Sequence, residues 1–264
     1  TQSSGIGMAG PAMIEGGGLG SFKPTEIGPI DVQSKNGVVD IVAKDEADAT
    51  VIAKKILGVF QGDIDNWKCT DQSELQRLMP EDRRYVYDVR KIIRTIADTN
   101  SCIELRNNDG RGIVTSFIRI EGKAVGLIAN DCKVLGGAID SDGAEKAARF
   151  LQLCNGYNVP ILSLCDTPGF MVGPDNEQEA AVRRLSRLFI AGAAIEVPLV
   201  TIFLRKGYGL GAMAMAGGSF VNPCYSASWP SGEFGGMGLE GAVNLGFKKE
   251  LDAEVDPAAK KELF

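Results

Sequence analysis

The feature of this sequence best suited to chemistry is an apolar run that ends in a glycine-rich turn. Residues 198–204 (PLVTIFL) lead through Arg205 and Lys206 into Gly207-Tyr-Gly-Leu-Gly211, and small residues follow at 212–216. Where a strand and a turn lead into a helix, the first N–H groups of the helix lack intrahelical acceptors and can hold an anion or oxyanion. The sequence contains no histidine. Chemistry at this turn would therefore depend on backbone amides or on the substrate itself.

A second apolar run ends in a similar turn earlier in the chain. Residues 160–166 (PILSLCD) are followed by Thr167-Pro-Gly-Phe170. In a parallel sheet both turns open at the carboxyl edge of the strands, where α/β proteins bind ligands, so we expect this turn and Gly207–Gly211 to lie side by side. Asp166 is typical of a turn or cap residue. The alternative is that the glycines only allow helices to pack closely.

Two other kinds of site are less compatible with the sequence. Gly207-x-Gly209-x-x-Ala212, with Glu233 further along, resembles a Rossmann dinucleotide fingerprint. However, this motif follows a late strand, and Glu233 lies in the Pro/Gly-rich segment WPSGEFGG. Nucleophilic catalysis of the Ser-His-Asp kind requires a base, and the absence of histidine excludes it. Asp166 and Glu233 are the candidate carboxylates for acid–base work.

The composition is that of a globular protein of 264 residues, and the net charge of −6 argues against nucleic acid as a partner. The six cysteines show no CxxC spacing, so we expect no metal site and a reducing compartment. No apolar run approaches the roughly 18 residues of a membrane-spanning helix. The first residue is Thr1 rather than Met, which suggests a processed chain or a fragment.

Apolar periodicity predicts strands that alternate with helices, which is typical of an α/β protein with a largely parallel sheet. The predicted strands are 37–43, two within 113–130 joined by a turn at Glu121-Gly-Lys123, 160–166, 198–204 and 225–229. The predicted helices are 47–60, 85–99, 141–155 and 178–195. Ser141 or Asp142 is expected to cap the third helix, with Glu145 in its first turns. The charged stretch 61–84 is interpreted as a linker.

Six segments make the chain resemble the carboxyltransferase (β) subunit of biotin-dependent acyl-CoA carboxylases, with the propionyl- and acetyl-CoA type the most similar. They are Ile113–Asn130, Glu145–Phe150, Asp166–Phe170, Arg205–Gly209, Trp229-Pro230 and Glu240–Asn244, in the family's order. Nearer the start, GPAMIEGGG and VDIVAKDEADA resemble the end of the family's N-terminal domain. Such subunits are considerably longer, so the chain resembles their central portion.

The resemblance implies a crotonase-like (ClpP-like) α/β fold, in which ββα units form a spiral. It implies that 1–66 is the remnant of an N-terminal carboxyltransferase domain and 67–84 a linker. Residues 85–264 would then form a nearly complete C-terminal domain, the side that binds biotin. The active site would lie at a dimer interface, between the N-terminal domain of one subunit and the C-terminal domain of the other.

The resemblance also implies functions for particular residues of this sequence. The backbone amides of Leu210 and Gly211 occupy the positions that hold the ureido oxygen of biotin, and Met213 stands where the family helps to select the acyl group. The substrate-binding residues expected on this basis are Gly169, Phe170, Arg205, Gly209 and Met213. The family usually has Gly-Gly-Ala where this chain has Gly209-Leu-Gly211. The family's other oxyanion hole, for the thioester carbonyl, belongs to a segment that precedes Thr1.

The implied activity is transfer of a carboxyl group between carboxybiotin and the α-carbon of an acyl-CoA, with no metal in this component. An alternative is the α subunit of a decarboxylase that runs the transfer in reverse, from acyl-CoA to biotin. The implied partners are a biotin carboxyl carrier, on which biotin is attached, and a biotin carboxylase. A homodimer or hexamer is expected, in the cytoplasm or, in a eukaryote, the mitochondrial matrix.

Overall fold

Among residues 1–263, which the computed structural model describes, seven strands form one mixed sheet. The strands are β1 Ile103–Leu105, β2 Ile113–Ile120, β3 Lys123–Asn130, β4 Ile161–Thr167, β5 Leu199–Tyr208, β6 Tyr225–Ser228 and β7 Glu233–Gly235. Their spatial order follows the chain from β1 to β6, and β7 pairs with the carboxyl end of β5. The first two pairings are antiparallel and the others are parallel.

Helices cover the sheet and extend along the two ends of the chain. They are α1 Pro11–Gly16, α2 Ile30–Gln33, α3 Glu46–Val59, α4 Val89–Ile96, α5 Ser141–Gly156, α6 Pro174–Gln178, α7 Ala181–Ala193, α8 Gly209–Met215, α9 Leu239–Gly246, α10 Lys248–Ala253 and α11 Pro257–Leu263. Short 3₁₀ helices occupy Pro24–Glu26, Gln72–Arg77 and Leu135–Gly137. The predicted alternation of strands and helices from β2 onwards is confirmed, including the tight turn between β2 and β3.

The central strands β2 to β5 are buried on both faces, because their successive side chains enter two separate apolar clusters. On β2, Ile113 and Phe117 enter the cluster that also contains residues of α5, α7 and α8. Val114 and Ile118 enter the opposite cluster, which α4 covers. This burial explains why β4 and β5 read as nearly continuous apolar runs in the sequence.

The predicted strand at 37–43 is wrong, whereas the helix predicted at 47–60 is confirmed as α3. Gly37 has a φ of +75°, and residues 37–43 run as a loop beside the sheet. One contact of this loop is a hydrogen bond from the Arg106 N–H to the Asp40 carbonyl (2.7 Å). The apolar, β-branched residues of this segment favour a strand locally, but a strand needs a partner along its whole length. Nothing tests the division into domains at 66 and 84, which stays a prediction.

The capping residue of α5 differs from that predicted, and α4 begins later than predicted. The Asp140 carboxylate accepts the Gly143 N–H (2.8 Å), so Asp140 caps α5 in place of Ser141 or Asp142. The helix predicted at 85–99 is shorter, because Asp88 caps α4 by accepting the Arg90 N–H (3.0 Å). An aspartate one residue earlier satisfies the same orphan donors, so local sequence alone does not choose between neighbouring acidic residues.

Candidate functional site

The two glycine turns at the carboxyl ends of β4 and β5 touch each other. A Cβ atom placed on Gly211 would lie 2.7 Å from the Gly169 Cα and 2.8 Å from its carbonyl carbon. No side chain fits into such a gap, so only glycine allows the two backbones this close approach. The structure thus brings the Asp166–Phe170 and Gly207–Gly211 segments together at one edge of the sheet.

The turn after β5 presents free amides at the start of α8. Gly209 has a φ of +55°, a left-handed conformation that favours glycine, and a Cβ there would lie 2.8 Å from the Gly236 carbonyl oxygen. Leu210 and Gly211 are the second and third residues of α8, where N–H groups have no intrahelical acceptor. Within the described part of the chain, neither amide has an acceptor outside the helix. Two adjacent donors are therefore available to an oxygen atom.

The turn after β4 is fixed by backbone contacts to the loop before α5. The Ile139 N–H donates to the Gly169 carbonyl (3.0 Å), and the Met171 N–H donates to the Ile139 carbonyl (2.9 Å). The ring of Phe170 lies 5.8 Å from that of Phe189, between ring centroids. These contacts place Gly169 and Phe170 beside α8, on which Met213 is half-buried. Their predicted substrate-binding roles stay predictions.

Asp166 lies beneath the two turns and is not the turn or cap residue that its sequence context suggested. Its carboxylate is completely buried and lies 3.0 Å from Nη2 of Arg205. It also accepts hydrogen bonds from the hydroxyl of Tyr87 (2.8 Å) and the N–H of Lys206 (3.0 Å). The Lys206 ammonium lies 3.7 Å from the same carboxylate, which thus has two cations and two further donors, as a buried charge requires.

The guanidinium of Arg205 forms its hydrogen bonds with acceptors of the protein itself. Arg205 is 3% exposed, and its Nη1 donates to the carbonyls of Arg83 (2.9 Å) and Tyr85 (2.8 Å). The predicted contact between Arg205 and substrate therefore has no support in this geometry. The sequence analysis did not predict that Asp166, Tyr87 and Arg205 lie together. A signal was present, since Asp166 and Arg205 are charged residues at the ends of consecutive apolar strands.

A second polar network holds β7 against the end of β5. The hydroxyl of Tyr208 donates to Glu233 (2.5 Å), and Glu233 is paired with Arg83 (3.0 Å), which also pairs with Glu240. Burial, followed by the neighbouring Glu233, raises the pKa of the Tyr208 phenol. Glu233 is thus engaged with protein groups, which leaves the alternative of a dinucleotide ribose partner without support.

Five cavities of residues 1–263 do not include the residues predicted to form the site. None of the five is lined by Gly169, Phe170, Arg205, Gly209, Leu210, Gly211 or Met213, although one, lined by Phe203 and Phe234, borders β5 beside Gly207. The Leu210 side chain is 61% exposed, so the turn lies on an open surface of the described chain. The described residues hold no group of three or more His, Cys, Asp or Glu side chains arranged to bind a metal. None of the described helices is long and apolar enough to cross a membrane.

Comparison with known proteins shows a match along the chain. The model of the carboxyl transferase domain family matches residues 1–263. The methylmalonyl-CoA carboxyltransferase 12S subunit of Propionibacterium freudenreichii subsp. shermanii is 32% identical, over 99% of this chain and 51% of its own length. The acetyl-/propionyl-coenzyme A carboxylase beta6 subunit of Mycobacterium tuberculosis is 37% identical, over 86% of this chain and 48% of its own. The chain spans about half the length of these curated relatives.

Solved structures agree with the sequence comparison. A single-chain, multi-domain long-chain acyl-CoA carboxylase is 54% identical with a TM-score of 0.91, over 98% of this chain and 26% of that one. The transcarboxylase 12S hexamer is 31% identical with a TM-score of 0.84, over 98% of this chain and 52% of that one. The mixed α/β architecture is accordingly the crotonase-like fold of these carboxyltransferases. The chain therefore belongs to the carboxyl transferase domain family.

Proposed function

We propose that this chain forms part of a biotin-dependent acyl-CoA carboxyltransferase, and that it carries the side of the active site that binds biotin. The observation that carries this proposal is the family match over residues 1–263, with relatives named as methylmalonyl-CoA and propionyl-CoA carboxyltransferase subunits. The close approach of the two glycine turns supports it, because it provides a rigid edge with free backbone donors. A protein without histidine can perform this chemistry with such donors.

The donors at the start of α8 fit a ureido group. Leu210 and Gly211 offer two adjacent N–H groups without other acceptors, and the left-handed conformation of Gly209 turns the chain so that these amides follow directly. When bound, carboxybiotin supplies the carboxyl group, and its ring nitrogen can take the α-proton of the acyl group. The amides of Leu210 and Gly211 would stabilise negative charge on the ureido oxygen. Such a donor is worth about 3 kcal/mol in a site that excludes water.

The remaining residues of the edge would shape the site. Gly169 and Phe170 form the wall opposite the amides, and the contact of Gly169 with Gly211 keeps the two turns from separating. Met213 lies one helical turn beyond Gly209 and is half-buried, so its side chain would help to select the acyl group.

The substrate class and partners belong to the same proposal. The substrate would be an acyl-CoA, and biotin would arrive on a separate carrier domain that a biotin carboxylase charges. We expect the full-length protein to assemble as a homodimer or hexamer, as the 12S relative does. No metal is required of this component, and the proposed compartment is the cytoplasm, or the mitochondrial matrix in a eukaryote.

Decarboxylation of malonyl-CoA or methylmalonyl-CoA by the full-length protein, with free biotin as acceptor, tests the proposal. We expect turnover that depends on biotin and saturates with it. A Leu210→Pro variant, which removes one amide donor, should lower this turnover by about 100-fold or more. Decarboxylation that is absent, or that proceeds equally well without biotin, would sink the proposed function.

A further inference from the structure

The parallel pairing of β4 with β5 is interrupted directly beneath the glycine turns. Cys165 pairs with Phe203, and the next pair is Thr167 with Gly207. Asp166 is the single residue between these pairs on β4, whereas three residues, 204–206, lie between them on β5. The extra residues form a bulge, which bends a strand and re-aims the residues that follow.

At this bulge the side chain of Asp166 makes the contacts to β5 that backbone pairing makes elsewhere along the two strands. Its Oδ1 accepts the Lys206 N–H (3.0 Å), a backbone group of the bulge itself. Its Oδ2 accepts the Tyr87 hydroxyl (2.8 Å) and lies 3.0 Å from Nη2 of Arg205, the central residue of the bulge. The carboxylate therefore bridges the bulge on the β4 side, while β7 pairs with Lys206–Tyr208 on the other side of β5.

A third segment joins the same network from outside the sheet. Tyr87 precedes α4 and is 6% exposed, and the Cys132 thiol accepts its backbone N–H (3.3 Å). Arg205 donates to the carbonyl oxygens of Arg83 and Tyr85 in the same segment. Burial and then the neighbouring Asp166 raise the pKa of the Tyr87 phenol. The hydroxyl therefore keeps its proton and remains a donor to Asp166.

We propose that Asp166 and Tyr87 are positioning residues, which fix the β5 bulge and thereby hold the Gly207–Gly211 turn in place against Gly169. Gly207 follows directly after the bulge, and Gly209 begins α8 two residues later. A change in the bulge therefore shifts the amides of Leu210 and Gly211 relative to the opposite turn. That this shift affects biotin rather than another ligand rests on the proposed function. The role of the network in holding the turn in place does not rest on the proposed function.

Tyr87→Phe is the sharpest variant, because it removes one hydrogen bond and keeps the ring. In the full-length protein we expect kcat/KM for free biotin to fall about three- to tenfold, since the turn is held less firmly. The dissociation constant of the acyl-CoA should stay within twofold of wild type. The matched control is Tyr157→Phe, because Tyr157 is 61% exposed and lies at the end of α5, away from the turns. Loss of folded protein alone would lower the apparent kcat and leave KM for biotin unchanged, so a rise in KM for biotin distinguishes the positioning role from a purely structural one.

Hydrogen exchange of the same variants separates the two proposals. We expect amides of residues 205–208 to exchange faster in Tyr87→Phe than in wild type, and those of 161–164 to be unchanged. If wild type lacks biotin-dependent turnover but this exchange pattern holds, the proposed function fails and the positioning role stands. If Tyr87→Phe matches Tyr157→Phe in both kcat/KM for biotin and exchange, the positioning role is overturned. Asp166→Asn should have larger effects than Tyr87→Phe, although it also weakens folding.

Discussion

Two buried arginines of this chain have opposite electrostatic surroundings. Arg205 is 3% exposed and faces the completely buried Asp166 together with two carbonyl oxygens. Arg106 is 5% exposed, but its ion-pair partner Asp40 is half-exposed, and its Nε and Nη1 have no hydrogen-bond partner among the residues that the structure describes. Burial lowers the pKa of Arg106. At Arg205 burial acts in the same direction but is outweighed, chiefly by Asp166, so its pKa is raised.

The difference shows which buried charge can hold a site together. A network whose donors and acceptors are all satisfied gives one defined geometry, and Arg205 lies directly under the glycine turns. Arg106 instead lines a cavity of about 690 Å³ together with Lys146, whose buried Nζ donates only to the carbonyls of Asp109 and Ile113 among its described contacts. A buried cation with such partners lowers the free energy of unfolding, because its interactions do not fully offset the cost of removing it from water.

The strongest way to break this comparison is to remove the carboxylate from each pair. Asp166→Asn leaves Arg205 buried without a counter-charge, and we expect it to reduce the free energy of unfolding by about 3–5 kcal/mol. Asp40→Asn should cost about 1 kcal/mol or less, because Asp40 is 46% exposed and water replaces its role. Urea denaturation of both variants measures the two losses. Equal losses would show that the two arginines are equivalent.

The free energy of unfolding as a function of pH tests the surroundings of Lys146, which lines the same cavity as Arg106. Burial lowers its pKa from 10.5 to about 8. Between these two values the folded protein has released a proton that the unfolded chain still holds, so stability rises with pH across this range. Relative to Lys146→Met, wild type should gain about 2–3 kcal/mol between pH 7.5 and pH 10.5. A difference between the two proteins that stays constant in urea titrations over that range contradicts this assignment.

The packing above the Arg205 network can be tested at Gly211. Gly211→Ala forces a methyl group against the backbone of Gly169, and we expect a loss of about 2 kcal/mol in unfolding free energy. Biotin-dependent turnover should fall further than this loss of folded protein explains. Gly58→Ala in α3 is the matched control, since nothing lies within 4 Å of its added Cβ, and it should gain about 0.5–1 kcal/mol. Full activity in Gly211→Ala would mean that the contact between the turns does not matter.

The smallest effect is expected from removing the poorly satisfied cation. Arg106→Met replaces a guanidinium with two unpaired nitrogens by an apolar side chain, so its unfolding free energy should stay within about 1 kcal/mol of wild type or rise. Arg205→Met should be far less stable, because it leaves the completely buried Asp166 with only the more distant Lys206 ammonium (3.7 Å) as a counter-charge. Thermal unfolding of the two variants compares them directly. A large loss of unfolding free energy in Arg106→Met would contradict this, because it would show that the Arg106 guanidinium is well paired.

Much of the fold could be predicted because apolar periodicity reports which faces are buried. β2 to β5 and helices α3, α5 and α7 lie where the sequence places them, apart from their ends. The loop at 37–43 could not be separated from a strand, since its β-branched residues look the same with or without a pairing partner. Helix caps such as Asp140 were missed by one residue, because neighbouring acidic residues offer the same hydrogen bond.

The sequence by itself determined that two glycine turns follow consecutive buried strands, and that these 264 residues offer no histidine beside them. Both follow from residue types and short-range spacing. Only the tertiary structure decided that Gly169 and Gly211 touch, and that Asp166 closes a bulge around Arg205 and Tyr87. Tyr87 and Asp166 are 79 residues apart in the chain, so their contact is set by how the sheet and α4 pack. No local pattern encodes such a distance.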